Sequence, residues 1–356
     1  MAGVSISGLL VTHLPDIRYL SGFTGSSAAL AVTRRSARLF TDGRYRTQAA
    51  SEVQGAKIEI VPSAPALSAV QWLAAQTAQL DGSGEAAVAF DPAHTTVAEL
   101  DRWRAALPAK LRRKLLQPLE SPLVEPLRWL KDEDELAIMI QAAHLGDELF
   151  SYLLEFLRPG IPESIVAAEL EYQARTRGAE GMSFESIVAA GPRSALPHGH
   201  ASDAKLPRRG FLTLDFGVIL KGYCSDMTRT VCFGKPTARE FEVYEAVLAA
   251  QQAGVAAVKA GVTCGEVDEA ARSTLRQAGM AEAFSHSTGH GVGIEIHESP
   301  RIGAGQKDKL APGMVITIEP GAYFAGEFGV RIEDMVAVTR TGGLLLTHSP
   351  TALIQL

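Results

Sequence analysis

Residues 211–233, FLTLDFGVILKGYCSDMTRTVCF, decide how this chain is read. Two strand-like apolar runs joined this closely form antiparallel neighbours. Strands exclude aspartate and glutamate from an apolar face, yet Asp215 interrupts the first run and Asp226 the second. The anomaly recurs downstream, where Glu319 ends MVITIEP (314–320) and Glu333 interrupts GVRIEDMVAV (329–338). Singly, each carboxylate reads as a salt-bridge or turn residue. Together in one core they would repel unless positive charge lay between them, because buried charges persist only when paired or bound to metal. A pair of divalent cations meets that need.

A nitrogen ligand is at hand in STGHGVG (287–293), where His290 stands between Gly289 and Gly291. Bare backbone on both sides permits close approach, so the imidazole can enter a metal shell. His286 lies four residues earlier, but no glutamate of an HExxH helix separates the two, and the glycines disfavour a helix there.

Outward from these motifs, the 356 residues imply two domains at roughly 150 residues each, or one large one. With 46% hydrophobic and 21% charged residues the chain is globular rather than fibrous or disordered. A net charge of −6 spread over both signs argues against nucleic-acid or anionic-membrane partners. Cys224, Cys232 and Cys264 are too few and odd in number for a disulfide framework. The opening MAGVSISGLLVTHLPD has neither a basic n-region nor a run near the ~20 residues of a membrane span, so a cytoplasmic location is expected.

The first third alternates strand-like runs (LLVTH, AALAVT, ARLFTDGRY, KIEIVP, AAVAFDP) with helical patterns at 66–80 and 95–106. The HLPDIRYL run (13–20) is expected to end a strand. Pro118, Pro122 and Pro126 leave no room for a helix in QPLESPLVEPL and mark a boundary, giving an α/β domain over 1–124 and an α+β domain with antiparallel sheet over 125–356. A long amphipathic helix opens the second part at Asp132, with Glu135 three residues on. Further helices are expected at about 163–177, 237–259 and 265–279.

The motifs LDFG, SDMTRT, STGHGVG, TIEPG and VRIED, in that order, resemble those of the pita-bread metallopeptidases, in the Xaa-Pro branch of prolidase and aminopeptidase P. PDIRYLSGFTGS and LFTDGRY resemble the creatinase-type N-terminal domain of that branch. The resemblance implies a dinuclear site in which Asp226 and Glu333 bridge two metals, Asp215 completes one site, and His290 with Glu319 completes the other. Oxygen-rich ligation suits Mn²⁺, with Co²⁺ or Zn²⁺ as alternatives. It further implies a bridging hydroxide nucleophile, with Glu319 as general base. His198 in ALPHGH and His297 in IEIHESPR stand in motifs this family uses beside the metals, where an imidazole can donate to the scissile carbonyl.

His286 is a further candidate for contact with substrate. Arg331 shares a strand face with Glu333 and can fix a ligand carboxylate. Arg301, four residues after His297, matches the carboxylate-binding arginine of some prolidases, against a loop arginine paired to Glu298. The expected substrates are proline-containing dipeptides, with longer peptides as the alternative, and the resemblance implies a homodimer. A non-catalytic peptide-binding module on the same fold is the remote alternative, disfavoured because all five ligand positions are filled.

Overall fold

The computed structural model describes residues 6–80 and 87–356, side chains at 77–80 excepted. The first five residues of the opening stretch and Ala86 of the AAVAFDP run lie outside the described residues. The chain forms two compact units, Met1–Leu127 and Arg128–Leu356.

The first unit contains β1 (Ile6–Val11), α1 (Leu14–Ser21), β2 (Ala28–Thr33), β3 (Ala37–Asp42), α2 (Arg46–Glu52), β4 (Lys57–Val61), α3 (Pro65–Leu80), β5 (Ala87–Phe90), α4 (Val97–Ala106) and β6 (Leu116–Pro118). One mixed sheet of order β4-β3-β2-β1-β5-β6 holds all six strands. Val70 and Leu73 of α3 pack with Trp103 of α4 on Leu10, Ala31 and Val88 of the sheet. The HLPDIRYL run, expected to end a strand, is instead the helix α1. Pro15 falls in its first turn, where a missing N–H costs nothing, and Gly22 closes it at φ 78° by donating to the Arg18 carbonyl.

A short helix, α5 (Glu125–Arg128), begins within the QPLESPLVEPL run, where none was expected; Pro126 falls in its first turn, where a missing N–H costs nothing. The second unit continues with α6 (Glu133–Phe156), α7 (Glu163–Thr176), β7 (Gly181–Met182), β8 (Ile187–Ala190), β9 (Gly210–Phe216), β10 (Val218–Leu220), β11 (Tyr223–Cys224), β12 (Met227–Phe233), α8 (Ala238–Ala257) and α9 (Cys264–Gln277). It ends with β13 (Gly289–Gly291), β14 (Glu298–Ile302), β15 (Val315–Ile318), β16 (Gly321–Phe324), β17 (Phe328–Arg331), β18 (Asp334–Val338) and β19 (Gly343–Leu345). Reciprocal side-chain and backbone bonds between Asp132 and Glu135, Thr237 and Glu240, and Thr263 and Glu266 start α6, α8 and α9.

All strand pairs of this unit are antiparallel, in sheets of order β12-β9-β8, β11-β10-β7 and β14-β13-β15-β18-β19, with β16 and β17 as a separate hairpin. Helices α6 and α7 bury Leu149, Phe150, Val166 and Leu170 against Leu212, Leu214 and Phe216 of β9. Helices α8 and α9 bury Val247, Ala250, Ala271 and Leu275 with Phe211, Val330 and Ile332.

The carboxylate-bearing runs are not the continuous strands expected from sequence. Asp215 is the penultimate residue of β9, Asp226 lies between β11 and β12, Glu319 follows the end of β15, and Glu333 lies between β17 and β18. At or just beyond each place the chain leaves one sheet for another. Pro320, with no N–H to offer, ends the β15 ladder directly after Glu319.

Candidate metal centre

His290 sits on β13, whose neighbours approach unusually closely. A Cβ at Gly289 would lie 1.9 Å from the Thr317 carbonyl oxygen, and one at Gly291 would lie 2.3 Å from that of Ser299. Only glycine fits on either side, so β13 lies tight between β14 and β15. Its Nδ1 lies 3.0 Å from the Gly291 carbonyl oxygen, which assigns the proton to that nitrogen. Burial lowers the imidazole pKa to about 4, so the ring is neutral and Nε2 carries only a lone pair. That lone pair faces Asp226 Oδ2 at 3.5 Å and Glu319 Oε1 at 3.6 Å.

Imidazole and carboxylate ligand atoms converging in this way fit a cation among them. Atoms of Asp226, His290 and Glu333 lie within 4.8 Å of one another, the spacing of a shared ion. Asp226 Oδ1 and Asp215 Oδ1 are buried without a hydrogen-bond partner. Burial, followed by repulsion from neighbouring carboxylates, holds Asp226 and Glu333 well above the ordinary range. Burial pushes Glu319 up to about 7. The donor set of one imidazole and several carboxylates is that of a hard or borderline divalent ion.

Each donor is oriented by residues that carry no obvious signature. Thr228 pairs with Asp215 across β12 and β9, and its hydroxyl donates to Glu333 Oε2 at 2.8 Å. The Glu333 N–H donates to the Thr228 carbonyl, and its own carbonyl accepts from the buried Arg229 guanidinium. The Asp226 N–H points at the Met335 sulfur, 3.2 Å away. Thr317 accepts from the His290 N–H, and the Glu319 N–H donates to the Thr288 carbonyl. Thr288 in turn donates to Asp268 through both N–H and hydroxyl, and Arg272 pairs with the same carboxylate. Sequence reading missed these supports; Thr228, two residues after Asp226, was open to an argument from strand periodicity.

Arg331 is buried. Its Nη2 donates to Asp215 Oδ2 at 2.6 Å, its Nη1 to the Tyr323 hydroxyl and the Pro197 carbonyl, and its Nε to Thr228. Four of its five N–H groups are thus used within the protein, and it braces Asp215. The His286 ring lies with Nδ1 against the Ser287 carbonyl and Nε2 2.9 Å from the Tyr323 hydroxyl. Both of its nitrogens are used within the protein, so it supports Tyr323 and Arg331.

His297 is exposed, and its ring meets that of His290 edge-on at 4.5 Å. Burial of part of the ring, then the charge of His198, lowers its pKa. His198 is exposed on the loop that follows β8. Arg301 pairs with His290 in the β13–β14 register, and its exposed guanidinium has no partner among the described residues. It lines a cleft of about 300 Å³ with Arg272, His286, Ser285, Ser287 and Gln306. The alternative pairing with Glu298 is not made: Arg128 and Lys131 hold that carboxylate. The three cysteines are buried and form no disulfide.

Comparison with known proteins agrees with this construction. Residues 137–340 match the family model of metallopeptidase family M24, and residues 1–128 match the creatinase/prolidase N-terminal domain. A Bacillus subtilis protein named uncharacterized peptidase YqhT is 40% identical over 353 residues, covering 99% of this chain and 97% of its own. The structure of an Xaa-Pro dipeptidase from Bacillus anthracis superposes with a TM-score of 0.91 at 39% identity, covering 98% of this chain and 95% of that one. That of an X-Pro aminopeptidase from Thermotoga maritima gives 0.88 at 33% identity, covering 99% and 96%. A clustered acid and imidazole donor set on this two-unit fold, together with these matches, places the chain in metallopeptidase family M24, as a metallopeptidase with a creatinase/prolidase-type N-terminal domain.

Proposed function

We propose that this metallopeptidase is a dinuclear Xaa-Pro dipeptidase. The observation that carries the substrate reading is Arg301: an exposed, unpartnered guanidinium opposite His290 in the strand register, at the rim of a cleft lined by a second arginine. Such a group offers a charge-assisted, bidentate site for a free carboxylate, which a dipeptide ending in proline presents beside its scissile bond. Xaa-Pro dipeptidase is also the name of the Bacillus anthracis protein with this fold.

In this reading Asp215, Asp226, His290, Glu319 and Glu333 hold two divalent ions, and the oxygen-rich set favours Mn²⁺ over Co²⁺ or Zn²⁺. When bound, such ions supply Lewis acidity that activates water and polarises the scissile carbonyl. Glu319 takes the proton of the attacking water and returns it to the prolyl nitrogen, which has no N–H of its own before cleavage. His198 and His297, exposed beside the donor cluster, donate to the carbonyl oxygen as negative charge develops there. Arg301 fixes the carboxylate end. Buried cysteines that form no disulfide support a cytoplasmic location, and a homodimer follows from the family resemblance. No helix among the described residues is long and apolar enough to cross a membrane.

The second reading, an Xaa-Pro aminopeptidase, is favoured by the likeness to the Thermotoga maritima structure. Ala-Pro against Ala-Pro-Ala decides between them. In a dipeptidase, Arg301→Ala raises KM for Ala-Pro by the equivalent of about 1.5–3 kcal/mol and leaves Ala-Pro-Ala little changed. Wild-type preference for the tripeptide, with equal effects of Arg301→Ala on both substrates, establishes the aminopeptidase.

A further inference from the structure

One buried carboxylate outside the donor cluster makes an unusual set of contacts. Glu163, in the first turn of α7, is fully buried and accepts from both ends of the segment that carries His198. The N–H of Ala190, the last residue of β8, donates to its Oε1 at 2.9 Å. On the far side the N–H and hydroxyl of Ser202 donate to its Oε2 at 3.1 and 2.7 Å. Arg193, inside the segment, donates from Nε to Oε2 at 3.0 Å and from Nη2 to the His200 carbonyl. Glu163 and Arg193 thus bracket His198 from the base of its loop. The tip is held separately, by Arg331 Nη1 on the Pro197 carbonyl at 3.1 Å, and the same guanidinium braces Asp215.

Helix capping alone does not account for this arrangement. A capping carboxylate serves its own helix, whereas the donors to Glu163 come from β8, from the loop and from the far end of the loop. The gain from gathering them is geometric. An exposed imidazole with no protein partner for its ring among the described residues takes its position only from its backbone, and that backbone is pinned at these points.

We propose that Glu163 is a positioning residue for His198: by stapling residues 190 and 202 to one buried carboxylate, it sets where that imidazole stands relative to Asp215. The inference rests on the reading of His198 as a donor to the scissile carbonyl. Glu163 touches neither metal nor substrate and acts only through the loop.

The test is a double-mutant cycle with two further readouts. Glu163→Gln keeps the shape but turns an amide NH₂ toward donors, so kcat should fall by about 10-fold with KM nearly unchanged and metal content preserved. In the His198→Ala background the same substitution should change kcat by less than about 2-fold, the mark of coupled residues. Amide exchange at Ala190 and Ser202 should quicken in Glu163→Gln, since these are the stapled donors.

Equal losses in both backgrounds, or unaltered exchange at both amides, overturn the proposal. If His198→Ala alone keeps wild-type turnover, the catalytic reading of His198 fails, and the exchange data still report whether the staple exists. Should Glu163→Gln not fold, Ser202→Ala and Ser202→Thr run the same cycle. Loss of kcat in the first, rescued in the second, supports the staple, and wild-type kcat in Ser202→Ala refutes it.

Discussion

Nη2 of Arg331 lies 2.6 Å from Oδ2 of Asp215, while Oδ1 of the same aspartate is buried with no hydrogen-bond partner. One oxygen is thus fixed by a guanidinium and the other is left facing the donor cluster. Arg331 is itself held by Tyr323, Thr228 and the Pro197 carbonyl, so its orientation is set before any ion arrives. Replacing Arg331 with methionine should weaken metal affinity by about 10–100-fold, the usual effect of losing a residue that orients a ligand. Titration of the stripped protein with Mn²⁺ measures this; unchanged affinity would show that Asp215 needs no brace.

Ligand atoms of Asp226, Glu333 and His290 lie within 4.8 Å of one another. Asp226→Ala or Glu333→Ala should remove bound metal and abolish hydrolysis while leaving the fold intact, as read by elemental analysis beside circular dichroism. Full metal content in Asp226→Ala would refute its role as a bridge.

His198→Ala and His297→Ala should each retain metal but lose turnover by a factor of about 10²–10³, the value of one transition-state donor. The comparison of kcat at saturating substrate makes this visible. Wild-type turnover in both would return the two histidines to structural roles.

Chelation should make stability strongly pH-dependent. Burial and mutual repulsion raise the carboxyl groups of Asp226 and Glu333, and bring Glu319 from its ordinary 4.5 to about 7. Above pH 4.5 the unfolded chain has released protons that the folded, metal-free protein still binds. The slope of unfolding free energy with pH is therefore negative, and this contribution is lost as pH rises through about 7. The Tm of the chelated protein should fall between pH 5 and pH 8, and added Mn²⁺ should flatten the curve, because a cation substitutes for the protons. A chelated Asp226→Asn variant should show a shallower fall than the wild type; an equal or steeper one would mean that Asp226 is not part of a repelling cluster.

The start of the long helix α6 was legible because it is local. Asp132 with Glu135 forms its reciprocal cap within four residues, so the signal needs no tertiary partner. The donor residues were legible for a related reason: Asp215, Asp226, His290, Glu319 and Glu333 are chemically costly in apolar strands, and glycines beside His290 announce close backbone approach. Strand continuity was not legible. The MVITIEPGAYF and GVRIEDMVAV runs each divide between two sheets, because ladder partners from distant parts of the chain decide where a strand ends. The HLPDIRYL run became a helix because Pro15 suits a first helical turn and Ile17 finds a place in the core.

The amino-acid sequence by itself singled out the carboxylates and the imidazole that the fold brings into one cluster, since such a group in an apolar run has few uses. Only the tertiary structure decided what each does around that chemistry. Arg331 reads in sequence as a group to fix a ligand carboxylate, and the structure buries it against Asp215. Arg301 reads as a possible partner of Glu298 and is left free because Arg128 and Lys131, more than 160 residues away in sequence, hold that carboxylate first. Partnership among charges depends on which groups folding brings within a few ångströms, and that distance is not written in any local pattern.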